Sequence, residues 1–96
     1  MTRQIDSYNV FKIIKGESVY IGNLTIELVK QRFVTTFNAD DLLYPTIKQK
    51  VFENYAMGFA SLSTEYDSEI FLNSQIKAKI NELLGESCEL GFTLIN

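Results

Sequence analysis

Apolar and β-branched side chains dominate Tyr8-Asn9-Val10-Phe11-Lys12-Ile13-Ile14-Lys15, break off at Gly16-Glu17-Ser18 and return in Val19-Tyr20-Ile21. That spacing predicts a β-hairpin, because such residues fit a pleated surface and glycine suits the reversal between two strands. Gly22-Asn23 predicts a second turn, since both residue types tolerate positive φ. Between Leu24 and Phe37 the phase of the pattern changes. Leu24, Ile26 and Leu28 are apolar at even positions, and Val29, Phe33 and Phe37 at odd ones, with the switch near Lys30-Gln31. Strand side chains alternate faces with period two, so the switch predicts two strands or one bent ribbon. The β-branched Thr25, Ile26, Val29, Val34, Thr35 and Thr36 argue against a helix there.

The second half of the chain reads as helix first and strand last. Asp40 or Asp41 can cap a helix that begins near Leu42 to Pro45, with proline in its first turn. Ile47, Val51, Tyr55 and Phe59 recur every four residues, Phe52, Ala56 and Leu62 widen the stripe, and Ser61-Leu62-Ser63-Thr64 closes the element. A second helix ends at Leu84, because Gly85 follows the run Ile76, Ile80, Leu83 and Leu84 and suits the left-handed residue beyond a helix end. Its start is placed near Asp67 to Ile70, with a shorter helix from Ser74, capped by Asn73, as the alternative. Cys88, Leu90, Phe92 and Leu94 alternate with Glu89, Gly91, Thr93 and Ile95 and predict a half-buried strand. The expected fold is a single α+β domain over residues 1–96. It combines a small antiparallel or mixed sheet, made of an N-terminal meander and a C-terminal strand, with two helices packed on one face.

Composition narrows the chemistry. The 96 residues include no histidine and one cysteine, Cys88, which rules out disulfide frameworks, zinc fingers, Cys-His pairs and histidine-based acid/base catalysis. The sequence neighbours Glu86 and Glu89 oppose a reactive thiolate, so Cys88 reads as a structural thiol. The five glycines are scattered, without a phosphate-binding loop. Neither Asp40-Asp41 nor Glu65, Asp67 and Glu69 has the spacing of a calcium loop, and both read as helix caps. We therefore expect a protein that is not an enzyme, with no metal site and no cofactor.

Net charge is −3, and it is unevenly distributed. Residues 1–48 carry six bases and five acids, whereas residues 49–96 carry three bases and seven acids. An acidic helical side that includes Glu65, Asp67 and Glu69 can dock on a basic protein. Tyr44 and Tyr66 are candidate anchors, since tyrosine buries much area at low entropic cost. The leading expectation is a noncatalytic protein-protein interaction module contacting its partner through Glu65, Tyr66, Asp67, Glu69 and Tyr44. Two alternatives stand beside it. One is a nucleic-acid-associated module using a basic sheet face of Lys12, Lys15, Lys30 and Arg32. The other is a self-associating structural or assembly protein, a homodimer included.

Phe, Ile, Lys, Asn and Tyr make up 36 of the 96 residues. Their AT-rich codons suit a low-GC bacterium, or a phage or mobile element whose product inhibits or modulates a host protein. No stretch approaches the 18 or so apolar residues of a membrane helix, and Met1-Thr2-Arg3-Gln4-Ile5-Asp6 has no signal-peptide core. Cytoplasmic residence, in the host cytoplasm for a viral product, is the expectation.

Overall fold

The computed structural model describes residues 2–29, 32–47, 49–53, 72 and 74–95. In chain order these form β1 (Thr2–Ile14), β2 (Glu17–Val29), β3 (Arg32–Ala39), β4 (Lys50–Glu53), a helix α1 (Ser74–Leu84) and β5 (Glu89–Ile95). The five strands make one sheet in the order β4-β3-β2-β1-β5, and every neighbouring pair is antiparallel.

The β1–β2 hairpin turns through Lys15 and Gly16, with φ of 51° and 81°. Positive φ at both central residues matches the twist of the flanking strands, and glycine meets that demand without a Cβ clash. Glu17 and Ser18 already belong to β2, so the reversal is tighter than the tripeptide expected from sequence. The expected turn at Gly22-Asn23 does not form. Gly22 lies inside β2 opposite Val10, with φ of 152°. A Cβ there would overlap the Asn38 carbonyl oxygen. Here the glycine allows the backbone of β3 to approach closely within a bulge.

That bulge sets which side chains enter the core. Val10 pairs with Gly22 and Phe11 with Tyr20, leaving Ile21 as an extra residue of β2. The phase therefore changes within the strand, and Ile21 is fully buried together with Leu24 and Ile26. The free carbonyl of Ile21 accepts the amide N–H of Asp40 at 2.8 Å. A second shift between Gln4 and Asp6 brings Ile5 against the same core as Tyr8 and Val10. The phase change near Lys30-Gln31 separates two strands, as expected. Leu28 faces Phe33, Ile26 faces Thr35, and Leu24 faces Phe37 across the β2–β3 ladder.

The helix expected from residues 42–45 to 64 is overturned over its described part, up to residue 53. Residues 50–53 are the edge strand β4, pairing Lys50 with Phe37 through Glu53 with Val34. Before it the chain makes turns: Asp40 accepts from the Tyr44 amide on its carbonyl and from the Leu43 amide on its carboxylate, at 2.8 and 3.1 Å. Proline disfavours helical geometry in the residue before it, and Val51-Phe52 suits an edge strand that satisfies the otherwise unpaired backbone of β3. Residues 54–64 lie outside the described set. The second helix takes its shorter form, since Leu72 lies in a turn ahead of Ser74. The starting positions Asp67 to Ile70 lie outside the described residues.

The expected pair of helices on one face is thus corrected. Among the described residues the fold is an antiparallel five-stranded sheet with one short helix, still a small α+β arrangement. Helix α1 ends as expected: Gly85 has φ of 70°, its N–H bonds the Glu82 carbonyl, and the Glu86 N–H bonds the Asn81 carbonyl. Ile76 and Ile80, one turn apart, join Tyr8, Val10, Leu24, Ile26, Phe33, Phe37 and Leu90 in one buried cluster. Burying each of these helical isoleucines contributes about 1.5–3 kcal/mol. No helix among the described residues is long and apolar enough to cross a membrane.

Candidate functional site

Two places gather polar groups, and they differ in whether those groups are already engaged. The first is on the helix side. Lys12 follows Tyr8 and Val10 in the period of β1 and so points to the core face, where Tyr44 arrives from the β3–β4 connection and Glu86 from the end of α1. The Lys12 ammonium donates to the Tyr44 hydroxyl at 3.1 Å and to both Glu86 oxygens at 3.4 Å. The Tyr44 hydroxyl in turn donates to Glu86 Oε1 at 3.0 Å. The Cys88 thiol lies 3.8 Å from the same oxygen.

Each member of this triad has its charge or dipole answered within it. The hydrogen bond to Tyr44 raises the Lys12 pKa above its ordinary 10.5, and Glu86 adds to that against the opposing effect of burial. Burial raises the Tyr44 pKa above its ordinary 10.0, with Glu86 acting in the same direction and the Lys12 hydrogen bond opposing. Both groups keep their protons at neutral pH, so neither acts as base or nucleophile there. The triad ties β1, the β3–β4 connection and the segment after α1 together. Asn81 reinforces it: its side-chain amide donates to the Cys88 carbonyl at 2.9 Å and accepts the Cys88 N–H at 3.0 Å.

The second place is the outer face of the sheet. Residues alternating with the core set point there, and the register aligns them in rows. Asn38 of β3, Asn23 of β2, Asn9 of β1 and Thr93 of β5 are successive cross-strand partners, beside the row Thr36, Thr25, Ser7 and Ile95. The Asn38 amide donates to Asn23 Oδ1 at 3.2 Å, a bond that does not use the Asn23 NH₂ or the Asn38 oxygen. Next to them Phe11 and Tyr20 pack edge to face, 5.8 Å between centroids at 70°. A cleft of about 560 Å³ is lined by Tyr20, Asn23 and Asn38 together with residues of the connection from Ala39 to Gln49. An ordered ring beside amides with spare donors and acceptors is suited to recognition by hydrogen bonding and stacking.

The residues singled out from sequence are not brought together. Tyr44 is buried at 9% exposure inside the triad. Glu65, Tyr66, Asp67 and Glu69 lie outside the described residues, as does Lys30. Lys12 is held by Tyr44 and Glu86, Lys15 is exposed at the β1–β2 turn, and Arg32 opens β3. Among the described residues no group of three or more Cys, Asp or Glu side chains is arranged to hold a metal ion. The asparagine row escaped sequence reading because it depends on register. Only Asn9, between the core residues Tyr8 and Val10, carried a legible signal.

Comparison of the chain with protein-family models, with curated proteins and with solved structures found no match.

Proposed function

We propose that this chain is a noncatalytic protein-interaction module whose contact surface is the outer face of the sheet and the cleft at its Tyr20 end. The observation that carries this reading is the row Asn38-Asn23-Asn9-Thr93 aligned across four strands beside the paired rings of Phe11 and Tyr20. Tyrosine and phenylalanine supply rigid contact area, and serine, threonine and asparagine supply hydrogen bonds that adapt to a partner, the division of labour found in antibody combining sites. On the helix side Lys12, Tyr44 and Glu86 are spent on one another, and Glu82 of α1 shares its helix with Lys77 and Lys79. Contact through the outer face therefore takes precedence over contact through an acidic helical side. The AT-rich composition makes a host protein of a low-GC bacterium the partner class to search.

The test is site-specific photocrosslinking in such a lysate. A crosslinking residue at Thr25 or Thr36 should give a protein adduct of defined mass, whereas one at Ala78 or Glu82 on α1 should give none. Adducts from α1 alone would return the acidic helical side to first place. Adducts that disappear with nuclease would favour the nucleic-acid reading.

A further inference from the structure

The two edges of the sheet are built differently. β4 is four residues long and carries Lys50 and Glu53 at its ends. β5 is seven residues long, has no proline, and carries no charge from Leu90 to Ile95. Its ladder with β1 runs without a register shift from Ser7–Ile95 to Ile13–Glu89. Exposed edges are normally blunted by charge, proline, shortness or a bulge, because unpaired backbone groups are a template for another strand. The interior of β5 has none of these protections. Leu94 and Ile95 moreover remain 47% and 41% exposed, one on each face of the sheet.

The strand is also self-complementary. Leu90, Phe92 and Leu94 share the helix side, and Glu89, Gly91, Thr93 and Ile95 share the outer side. A two-fold axis perpendicular to the sheet preserves these sides, so only registers that oppose residues of like parity are allowed. Of these, the register centred on Phe92 keeps all seven residues paired. It sets Leu90 opposite Leu94 of the second copy, Phe92 opposite Phe92, and Glu89 opposite Ile95 at the solvated ends of the seam. The exposed Leu94 then lies beside Leu90 of the second copy, which extends the apolar helix-side face across the junction.

We propose that β5 pairs antiparallel with β5 of a second copy, in the register centred on Phe92, to form a two-fold dimer with a continuous ten-stranded sheet. The dimer uses the backbone edge of β5, away from the cleft; Thr93 and Ile95 also end the outer-face rows, but the chain mass that tests the dimer is read independently of the crosslinking that tests partner binding. Sedimentation equilibrium on the Cys88→Ser protein, which removes adventitious disulfides, should give twice the chain mass at tens of micromolar. Leu94→Lys, at an exposed position, should return it to a single chain while circular dichroism stays unchanged. Amide hydrogen exchange of the unmutated sequence should show concentration-dependent protection confined to β5, which tests the proposal even if Leu94→Lys does not fold. A single-chain mass up to millimolar concentration, a dimer that survives Leu94→Lys, or concentration-dependent protection on another strand would each overturn it.

Discussion

The helix side and the outer side of the sheet arise from the same strands by the same alternation, yet they have opposite chemistry. On the helix side, Val10, Leu24, Ile26 and Phe37 close against Ile76 and Ile80 at no measurable exposure beyond 1%, and the polar Lys12, Tyr44 and Glu86 are bonded to one another. On the outer side the central cross-strand partners are Asn38, Asn23, Asn9 and Thr93, beside Thr36, Thr25 and Ser7, on a face that also carries Phe11, Tyr20, Val34 and Ile95. The contrast teaches that polar content alone does not locate a binding surface in this protein. What separates the two sides is how far the polar groups are engaged: Lys12, Tyr44 and Glu86 close a three-way set of bonds, whereas Asn23 and Asn38 share a single one.

Substitutions at adjacent residues of one strand can break the comparison most directly. Phe37→Ala on the helix side should cost about 3–5 kcal/mol through the cavity it leaves, whereas Thr36→Ala on the outer side should change stability by less than about 0.5 kcal/mol. Urea denaturation reads both. Similar losses at the two positions would mean that the outer face is packed as a second core.

The next largest effect is expected at the bulge that assigns residues to the two sides. Gly22→Ala forces a side chain into a φ of 152° and against the Asn38 backbone, and should destabilise by roughly 1–3 kcal/mol. Because the change also moves β3, the cross-strand amide correlations of Asn23 with Asn38 should shift in NMR spectra. Asn81→Ala removes both hydrogen bonds that hold the Cys88 peptide, and should cost about 1–2 kcal/mol by thermal or urea unfolding. A near-neutral Asn81→Ala would show that the end of α1 is held by its glycine and apolar contacts alone.

The smallest effect concerns pH. Lys12 and Tyr44 both bind their protons more tightly in the folded chain than in the unfolded one. Their contribution is therefore complete below pH 10 and is lost as pH rises past 10.5 through the raised values. Denaturation midpoints should be flat from pH 7 to 9 and fall above 10, with a shallower fall in Tyr44→Phe. An identical alkaline slope in that variant would assign the loss to other groups.

The two hairpin strands, the break between β2 and β3, the Gly85 helix end and the alternation of β5 were legible from sequence because each is set by local chemistry: side-chain period, turn conformation or capping. The region from Leu42 to Glu53 was misread for a physical reason. A four-residue apolar repeat is compatible with helix, but Val51 and Phe52 also suit a strand, and the open edge of β3 supplies hydrogen-bond partners that no local pattern announces. Gly22 was misread likewise, since positive φ serves a bulge as well as a turn.

For the candidate site the same division holds. The residue types of the outer face were visible, but Asn9, Asn23 and Asn38 are separated by 14 and 15 positions and form a row only through the register of three strands. Lys12, Tyr44 and Glu86 likewise read as independent surface groups until the sheet and α1 bring them within hydrogen-bond distance. Short-range preferences, encoded residue by residue, determined the type of most elements and a few of their ends, the Lys15-Gly16 turn and the Gly85 helix end among them. Strand partners, bulge positions and polar pairing are properties of contacts between distant segments, and only the tertiary structure decided them.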